Sequence, residues 1–251
     1  MPLLLDALYT GPMDGLTPPQ VGPIRPPAVP MRDLLTPARF EAELVRFKAG
    51  YGYQSEQGDR RALVSLWSKW HFGALLVPYL AANLLLERDL PVGLDEMGVC
   101  LTTEGRTERL QIAHAGRPLT SLDAFARFST LIDDHLTPLI GRLAALSGAS
   151  AKVFWSNAGN TFEHFLSAFE AHPMAAPGVA EEGHRLLTSR TTVNGQRNPL
   201  YQPVRYFQPE CQGEEANVSA TKRVRRLCCL RYLLPELGYC GNCPLSNRAA
   251  G

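Results

Sequence analysis

The sequence predicts an α+β protein: a mostly helical body with a small antiparallel sheet and an irregular C-terminal segment that binds a cluster. Three observations point there. Apolar residues recur at helical spacing through most of residues 37–188, and two stretches, 99–114 and 191–207, alternate or break at turn residues as strands do. Four of the six cysteines crowd into positions 228–243. A chain of 251 residues that is 45% hydrophobic and 20% charged can build its core without metals or disulfides. A metal at those cysteines is therefore expected to work rather than to staple the fold.

Residues 1–36 hold eight of the twenty prolines, with Pro18-Pro19 and Pro26-Pro27, and are expected to run extended over the surface. Thr36-Pro37 reads as an N-cap followed by proline at the first helical position, and Phe40, Leu44 and Phe47 then form one apolar face until Gly50. A second helical region runs from about Asp59 to Arg88, apolar nearly all round, with Gly73 and Pro78 expected to bend or split it. Its longest apolar stretch, Phe72 to Leu86, is fifteen residues and is interrupted by Pro78 and Asn83, which predicts a buried helix rather than a membrane span. Between Val99 and His114, Leu110, Ile112 and His114 alternate with Gln111 and Ala113, and Thr103-Glu104-Gly105-Arg106 supplies a hairpin turn.

Ser121 is expected to cap a helix carrying Phe125, Phe128, Ile132, Leu136 and Leu139 as far as Gly148, kinked at Pro138. Further helices are predicted from about Ala149 to His172 and from Val179 to Thr188. Thr191-Thr192-Val193 enters the turn Asn194-Gly195, and Asn198 to Phe207 reads as its proline-broken return strand. The polar, acidic run from Gln208 to Glu215 separates a body expected to bind substrate, 37–215, from a cluster-binding tail, 216–251.

A net charge of +1 gives no whole-protein field to draw nucleic acid, and no such partner is expected. Charge is concentrated locally, with Lys222, Arg223, Arg225, Arg226 and Arg231 around the first cysteine pair. Leu3-Leu4-Leu5 has no preceding basic residue and is interrupted by Asp6, so no secretory signal is expected and the protein is placed in the cytoplasm. Cysteines in a reducing compartment argue for metal or redox chemistry over disulfides; Cys100 and Cys211 stand apart from the clustered four. No Gly-rich nucleotide fingerprint is present, so electrons are expected from an external donor, a protein or a small reductant. His71, His114, His135, His164, His172 and His184 lack metal-ligand spacing, which disfavours a Rieske centre.

Cys228-Cys229, ten residues, Cys240, two residues and Cys243 supply four soft thiolates within sixteen positions. The Cys-x-x-Cys half suits zinc or iron. The adjacent pair is unusual, because neighbouring side chains diverge and only irregular backbone aims both at one ion. A 2Fe-2S cluster, with two thiolates on each iron, tolerates that divergence, whereas a 4Fe-4S cluster lacks its usual run of three close cysteines. Spacing alone leaves the 2Fe-2S cluster and a structural zinc open.

The runs Cys228-Cys229-Leu230-Arg231-Tyr232 and Tyr239-Cys240-Gly241-Asn242-Cys243-Pro244-Leu245 resemble the C-terminal signature of the FhuF-type ferric-siderophore reductases. Trp155-Ser156-Asn157 and Asn198-Pro199-Leu200 resemble family positions in the body. The resemblance implies that Cys228, Cys229, Cys240 and Cys243 ligate a 2Fe-2S cluster. It also implies that one-electron transfer from this cluster reduces ferric iron in hydroxamate-type siderophores, releasing ferrous iron in the cytoplasm. A mainly helical body follows from it too, as does peripheral association with the inner membrane beside a siderophore importer.

Hard ferric iron loses its match to hard oxygen donors on reduction, so reduction is release, and no acid, base or nucleophile is nominated. Arg226 and Arg231 are expected to tune the cluster or to dock a donor or an anionic chelate, with Tyr232 beside them. Trp67, Trp70 and Trp155 read mainly as core, and Asp133-Asp134 as exposed helix-face charge. Two other readings compete: a binding module in which the four cysteines hold a stabilising zinc, and an iron-sulfur sensor of redox state or iron.

Overall fold

A computed structural model describes residues 3–53, 58–208 and 221–246; Cys211 and all of the acidic run after Gln208 lie outside them. The proline-rich opening is made of short pieces: α1 (Leu3–Asp6), a 3-10 turn at Gly11–Met13, strands β1 (Gln20–Val21) and β2 (Val29–Pro30), and α2 (Met31–Leu34). Leu5, Leu8, Met13, Met31 and Leu34 from this stretch are buried in the main core. α3 (Pro37–Ala49) starts and stops where Thr36-Pro37 and Gly50 predict and buries Phe40, Leu44 and Phe47. The Thr36 hydroxyl donates back to the Asp33 carbonyl instead of capping the helix.

α4 (Arg60–Leu86) begins at Asp59, whose carboxylate accepts hydrogen bonds from the Arg61 and Ala62 amides. It runs unbroken for 27 residues with Pro78 inside, so the expected split at Gly73 or Pro78 does not occur. An interior proline costs roughly 3 kcal/mol. Leu75, Leu76, Tyr79 and Leu80, all fully buried around it, each contribute roughly 1.5–3 kcal/mol and outweigh that cost. No described helix is long and apolar enough to cross a membrane.

Glu87, at φ 51°, turns the chain into β3 (Arg88–Asp89). The predicted hairpin follows as β4 (Met97–Leu101) and β5 (Thr107–Ile112), with Val99 opposite Leu110. Gly105 sits in its turn at φ 71°, where a Cβ would come within 2.7 Å of the Glu43 carbonyl oxygen. β1 joins β5 in parallel and β2 joins β4 antiparallel, so the sheet, in order β1-β5-β4-β2, is mixed. β6 (Arg117–Pro118) pairs with β3.

Ser121 does not start a helix. Its hydroxyl accepts from the Asp123 amide, and the Asp123 carboxylate accepts from Phe125 and Ala126, opening a 3-10 turn at Ala126–Phe128. A π-helical stretch, Thr130–Leu136, then leads into α5 (Thr137–Ser147). Pro138 lies two residues past the π-helical stretch, so the expected single helix is instead a π-helical run that passes into α5 just before the proline, whose missing N–H disfavours regular α-helical bonding there. α6 (Ala151–Glu170) is capped by Ser150, and α7 (Glu181–Thr188) packs on it.

The strand expected at Thr191–Val193 shrinks to one bridge between Thr191 and Arg197. Pro199 and Pro203 lack the N–H that a return strand would donate. β7 (Val204–Phe207) pairs instead with β8 (Lys222–Arg225), joining the body to the cysteine segment.

Candidate metal centre

β8 delivers Arg225 to the interior, and the chain then leaves the sheet. The irregular backbone that adjacent cysteines require is present: Leu230 adopts φ 62° and a 3-10 turn follows at Arg231–Leu233. This turn aims the Leu230 amide at Cys228 Sγ, 3.4 Å away. In the second half the Cys243 amide donates to the Cys240 carbonyl at 3.1 Å, and the Leu245 amide points at Cys243 Sγ at 3.4 Å. The Arg225 amide donates to the Asn242 carbonyl at 2.9 Å, tying the halves together.

The four thiols form a cluster apart from the main core, with Cys229, Cys240 and Cys243 buried and Cys228 half-buried. They meet in pairs across the two halves. Cys229 Sγ lies 3.6 Å from Cys240 Sγ, and the Cys228 and Cys243 thiols interact as the second pair. Among the described residues no three His, Cys, Asp or Glu side chains converge as a single-ion site requires. Two facing sulfur pairs are what a centre with two thiolates on each of two irons needs.

α4 and α6 hold this segment. Ser65 Oγ donates to the Cys229 carbonyl at 2.7 Å, and Asn157 Nδ2 reaches the Ser65 carbonyl and the Ser65 and Ser68 hydroxyls, each at 3.0 Å. Ser156 Oγ donates to the Leu227 carbonyl at 3.3 Å, and Asn242 Nδ2 to Asn160 Oδ1 at 2.7 Å. Arg223 bonds Asn160 and Glu163. Ser156, Asn157, Asn160 and Glu163 recur at helical spacing, so one face of α6 grips the whole segment. Gly159 on that helix meets Pro203, where a Cβ would come within 2.8 Å of the proline ring.

Arg225 is 1% exposed. Its Nη2 donates to Asn157 Oδ1 and to Ser156 Oγ, its Nε has no partner, and among the described residues it forms no ion pair. Burial pushes its guanidinium below the ordinary value, while the Cys229, Cys240 and Cys228 sulfurs pull it back up. Lys69 Nζ lies 3.9 Å from Cys229 Sγ. The hydrogen bond from Cys240 first, then the charges of Lys69 and Arg225, pull the Cys229 thiol down to about 5 against the effect of burial. Cys240 is pushed up by the same shared proton. A buried cation without a counter-charge costs several kcal/mol. Four thiolates around a pair of irons form a net-negative centre, so the residues present fit a 2Fe-2S cluster.

The other residues singled out in the sequence lie at varying distances from this centre. Arg226 is half-buried, over the Tyr201 ring at 5.6 Å and against the Gln202 carbonyl. Arg231 shares a cleft with Lys69 and Trp70. Tyr232 stacks on Tyr239 at 5.8 Å on the surface. Trp67 is core, Trp155 is half-buried, and Trp70 is exposed with its Nε1 on the Tyr51 hydroxyl at 3.0 Å. Sequence reasoning missed Lys69 and Ser65, met Asn157 only within the Trp155-Ser156-Asn157 resemblance, and counted Arg225 only as one of a basic group. The available signal was a polar stripe on an apolar helix at 156, 157, 160 and 163.

Residues 65–214 match the family described as "Ferric iron reductase FhuF-like transporter", and residues 225–245 match the "FhuF 2Fe-2S C-terminal domain". The second match opens on Arg225 and spans all four cysteines. The chain is also 28% identical over 188 residues to the protein named "Ferric siderophore reductase" from Escherichia coli (strain K12), covering 74% of this chain and 67% of that one. The zinc-module alternative gives way to these matches. The chain belongs to the FhuF-like ferric iron reductase family, and its C-terminal segment is that family's 2Fe-2S domain.

Proposed function

We propose that this chain reduces ferric iron in siderophores, hydroxamates among them, one electron at a time. In this reading Cys229 and Cys240 ligate one iron of its cluster, and Cys228 and Cys243 the other. The observation that supports it best is the set of paired thiols beside Arg225, a buried cation with no carboxylate partner among the described residues. When bound, a 2Fe-2S cluster supplies a carrier of single electrons.

The chain's own residues supply the setting. Arg225 and Lys69 place positive charge beside Cys229 and favour the more negative, reduced state. Ser65 and Asn157 hold the Cys229 backbone and Arg225 in place, so this charge is oriented in advance. The Leu230 and Leu245 amides withdraw charge from Cys228 and Cys243. Cys228 is the most open of the four and follows Leu227, which is 45% exposed, so a bulky chelate approaches most closely there. An external donor supplies the electron, and the work is done in the cytoplasm, at the periphery of the inner membrane near an importer.

The test is anaerobic protein assayed for iron and acid-labile sulfide, bleached with dithionite, then mixed with a ferric siderophore and a ferrous trap. Recovery of colour together with trapped ferrous iron is expected, and serine at any of the four cysteines should abolish both. Protein without sulfide, or reduced protein that no ferric siderophore reoxidises, overturns the reading.

A further inference from the structure

We propose that the cleft beside Trp70 is where electrons enter the protein and that its occupant is a freely exchanging reduced flavin, an inference that rests on the reductase reading above. Two hollows of about 420 and 390 Å³ meet there, and Lys69 and Trp70 line both. Each falls within the roughly 300–1,000 Å³ of small-molecule sites, whereas a protein partner needs a broad face. The smaller hollow has Arg231 and Leu237 of the cysteine segment on its wall, and Arg231 is two residues from Cys229, at most about 7 Å of backbone away. Lys69 Nζ lies 3.9 Å from Cys229 Sγ. The cleft thus adjoins the Cys229–Cys240 pair, while the chelate approaches at Cys228, in the other pair.

Trp70 is held ready for stacking. It is 43% exposed, yet its Nε1 donates to the Tyr51 hydroxyl at 3.0 Å and the Arg106 guanidinium carbon lies 4.6 Å from its ring. An exposed indole fixed in this way offers a flat ligand a surface that needs no further ordering. One and two turns along α4, Gly73 and Val77 line the larger hollow. A Cβ at Gly73 would meet nothing within 4 Å, so packing inside the protein does not call for glycine, and alanine would suit the helix better. What glycine supplies there is room. Two polar atoms of the lining residues are also unanswered: Tyr9 Oη and Arg106 Nε are buried and, among the described residues, have no hydrogen-bond partner. Both can donate.

An isoalloxazine ring meets these demands, being flat enough to stack on an indole and carrying two carbonyls that accept hydrogen bonds along one edge. Its redox chemistry suits a one-electron carrier as well. A nicotinamide gives up a hydride, two electrons at once, which such a carrier cannot take. A dihydroflavin surrenders its electrons singly, one to the oxidised protein and one more after a chelate has taken the first. Two ferric chelates become ferrous, the dihydroflavin becomes flavin, and its two protons go to solvent, with no covalent bond to the protein.

The test mixes oxidised holoprotein with photoreduced riboflavin in an anaerobic stopped-flow instrument and follows the bleaching of visible absorption. The rate is expected to saturate with riboflavin concentration, as a site requires. It should fall about tenfold or more in Trp70→Ala, which removes the stacking surface, and in Gly73→Leu, which fills the cleft from a position whose Cβ meets no neighbour. Gly73→Ala should keep nearly the parent rate. Reduction by dithionite, reoxidation by a ferric hydroxamate and urea unfolding should match the parent in the Gly73→Leu holoprotein. A rate that stays linear in riboflavin, variants as fast as the parent, or variants equally slow with dithionite would overturn the proposal. If the variants instead slow reoxidation by the chelate, the cleft belongs to the chelate and the proposal falls. The two readings fail separately: protein that is reoxidised by a ferric siderophore but ignores riboflavin loses only the donor site. Protein that takes electrons from riboflavin and passes none to any ferric siderophore loses the reductase reading, and the proposal with it.

Discussion

Two polar networks are buried against α4, and they are built differently. In the first, His135 donates Nδ1–H to the Val92 carbonyl at 2.6 Å, which leaves its Nε2 to accept from His71 Nε2 at 3.1 Å. His71 Nδ1 then accepts the Thr107 hydroxyl at 3.1 Å, and Trp67 stacks on the ring at 5.2 Å. Every polar atom of the pair is answered and both rings are neutral, so the network needs nothing more. In the second, Ser65 and Ser68 hold Asn157, which with Ser156 accepts from Arg225; that guanidinium lacks a partner for Nε and, among the described residues, meets no carboxylate. The first network is architecture. The second leaves a buried cation facing sulfur, and the cluster proposed for the four cysteines would supply the negative charge it lacks.

The largest expected effect tests the self-sufficient network. Burial lowers the His135 pKa from 6.5 to about 4, and burial, then the neighbouring ring, lowers that of His71 well below 6.5. Because the folded values lie below the unfolded ones, the stabilisation is complete above about pH 6.5 and is lost as pH falls through the window toward about 4. For His135 the loss amounts to about 3 kcal/mol. Urea unfolding at a series of pH values should show this slope and His135→Gln should flatten it; stability that is level from pH 7 to 5 would break the comparison on this side.

Next in size is Asn157→Leu, which leaves Arg225 Nη2 only its 3.4 Å contact with Ser156 Oγ and leaves the Ser65 and Ser68 hydroxyls one contact short. Leaving a buried charged donor unsatisfied costs about 2–3 kcal/mol, measurable by urea unfolding of holoprotein. Serine at 157, short but polar, should recover part of it.

Arg225→Met sharpens the contrast, because its two consequences have opposite signs. In holoprotein the midpoint potential should fall by on the order of 60 mV, a tenfold shift in a one-electron equilibrium. In metal-free protein the same change removes an unpaired buried charge and should raise stability by about 1–3 kcal/mol. Voltammetry and chemical denaturation read the two independently. If metal-free protein is destabilised as well, Arg225 is structural in the way His71 is.

What the sequence made legible followed from local rules. Thr36-Pro37 and Gly50 bounded α3, Gly105 placed the hairpin, and the cysteine spacing pointed to the segment that matches the 2Fe-2S domain because all four thiols lie within one short stretch. What it hid depended on distant parts of the chain. Pro78 reads as a break until the burial on every side of α4 is known. β7 and β8 are separated by residues 208–221, so their pairing leaves no turn signal. Ser65, Lys69 and Asn157 lie on two helices far from the cysteines in sequence, and only the packing of α4 on α6 brings them to Cys229. Arg225 looks like its half-buried neighbour Arg226, and nothing local says which of the two is sealed inside.

That last distinction carries the smallest predicted effect. Arg231 adjoins the cluster segment and is expected to tune it; it is half-buried in a surface cleft with its Nε enclosed, less sealed than Arg225, so water and salt reach its charge and screen it over about 10 Å. Arg225 acts from the interior, where the same charge interacts several times more strongly. Arg231→Gln should therefore lower the midpoint potential by less than Arg225→Met, and the small shift should shrink further at high ionic strength, while the Arg225 shift should hold. Equal shifts that respond equally to salt would mean that burial does not set the hierarchy, and that tuning belongs to the whole basic segment rather than to one cation sealed against the sulfurs.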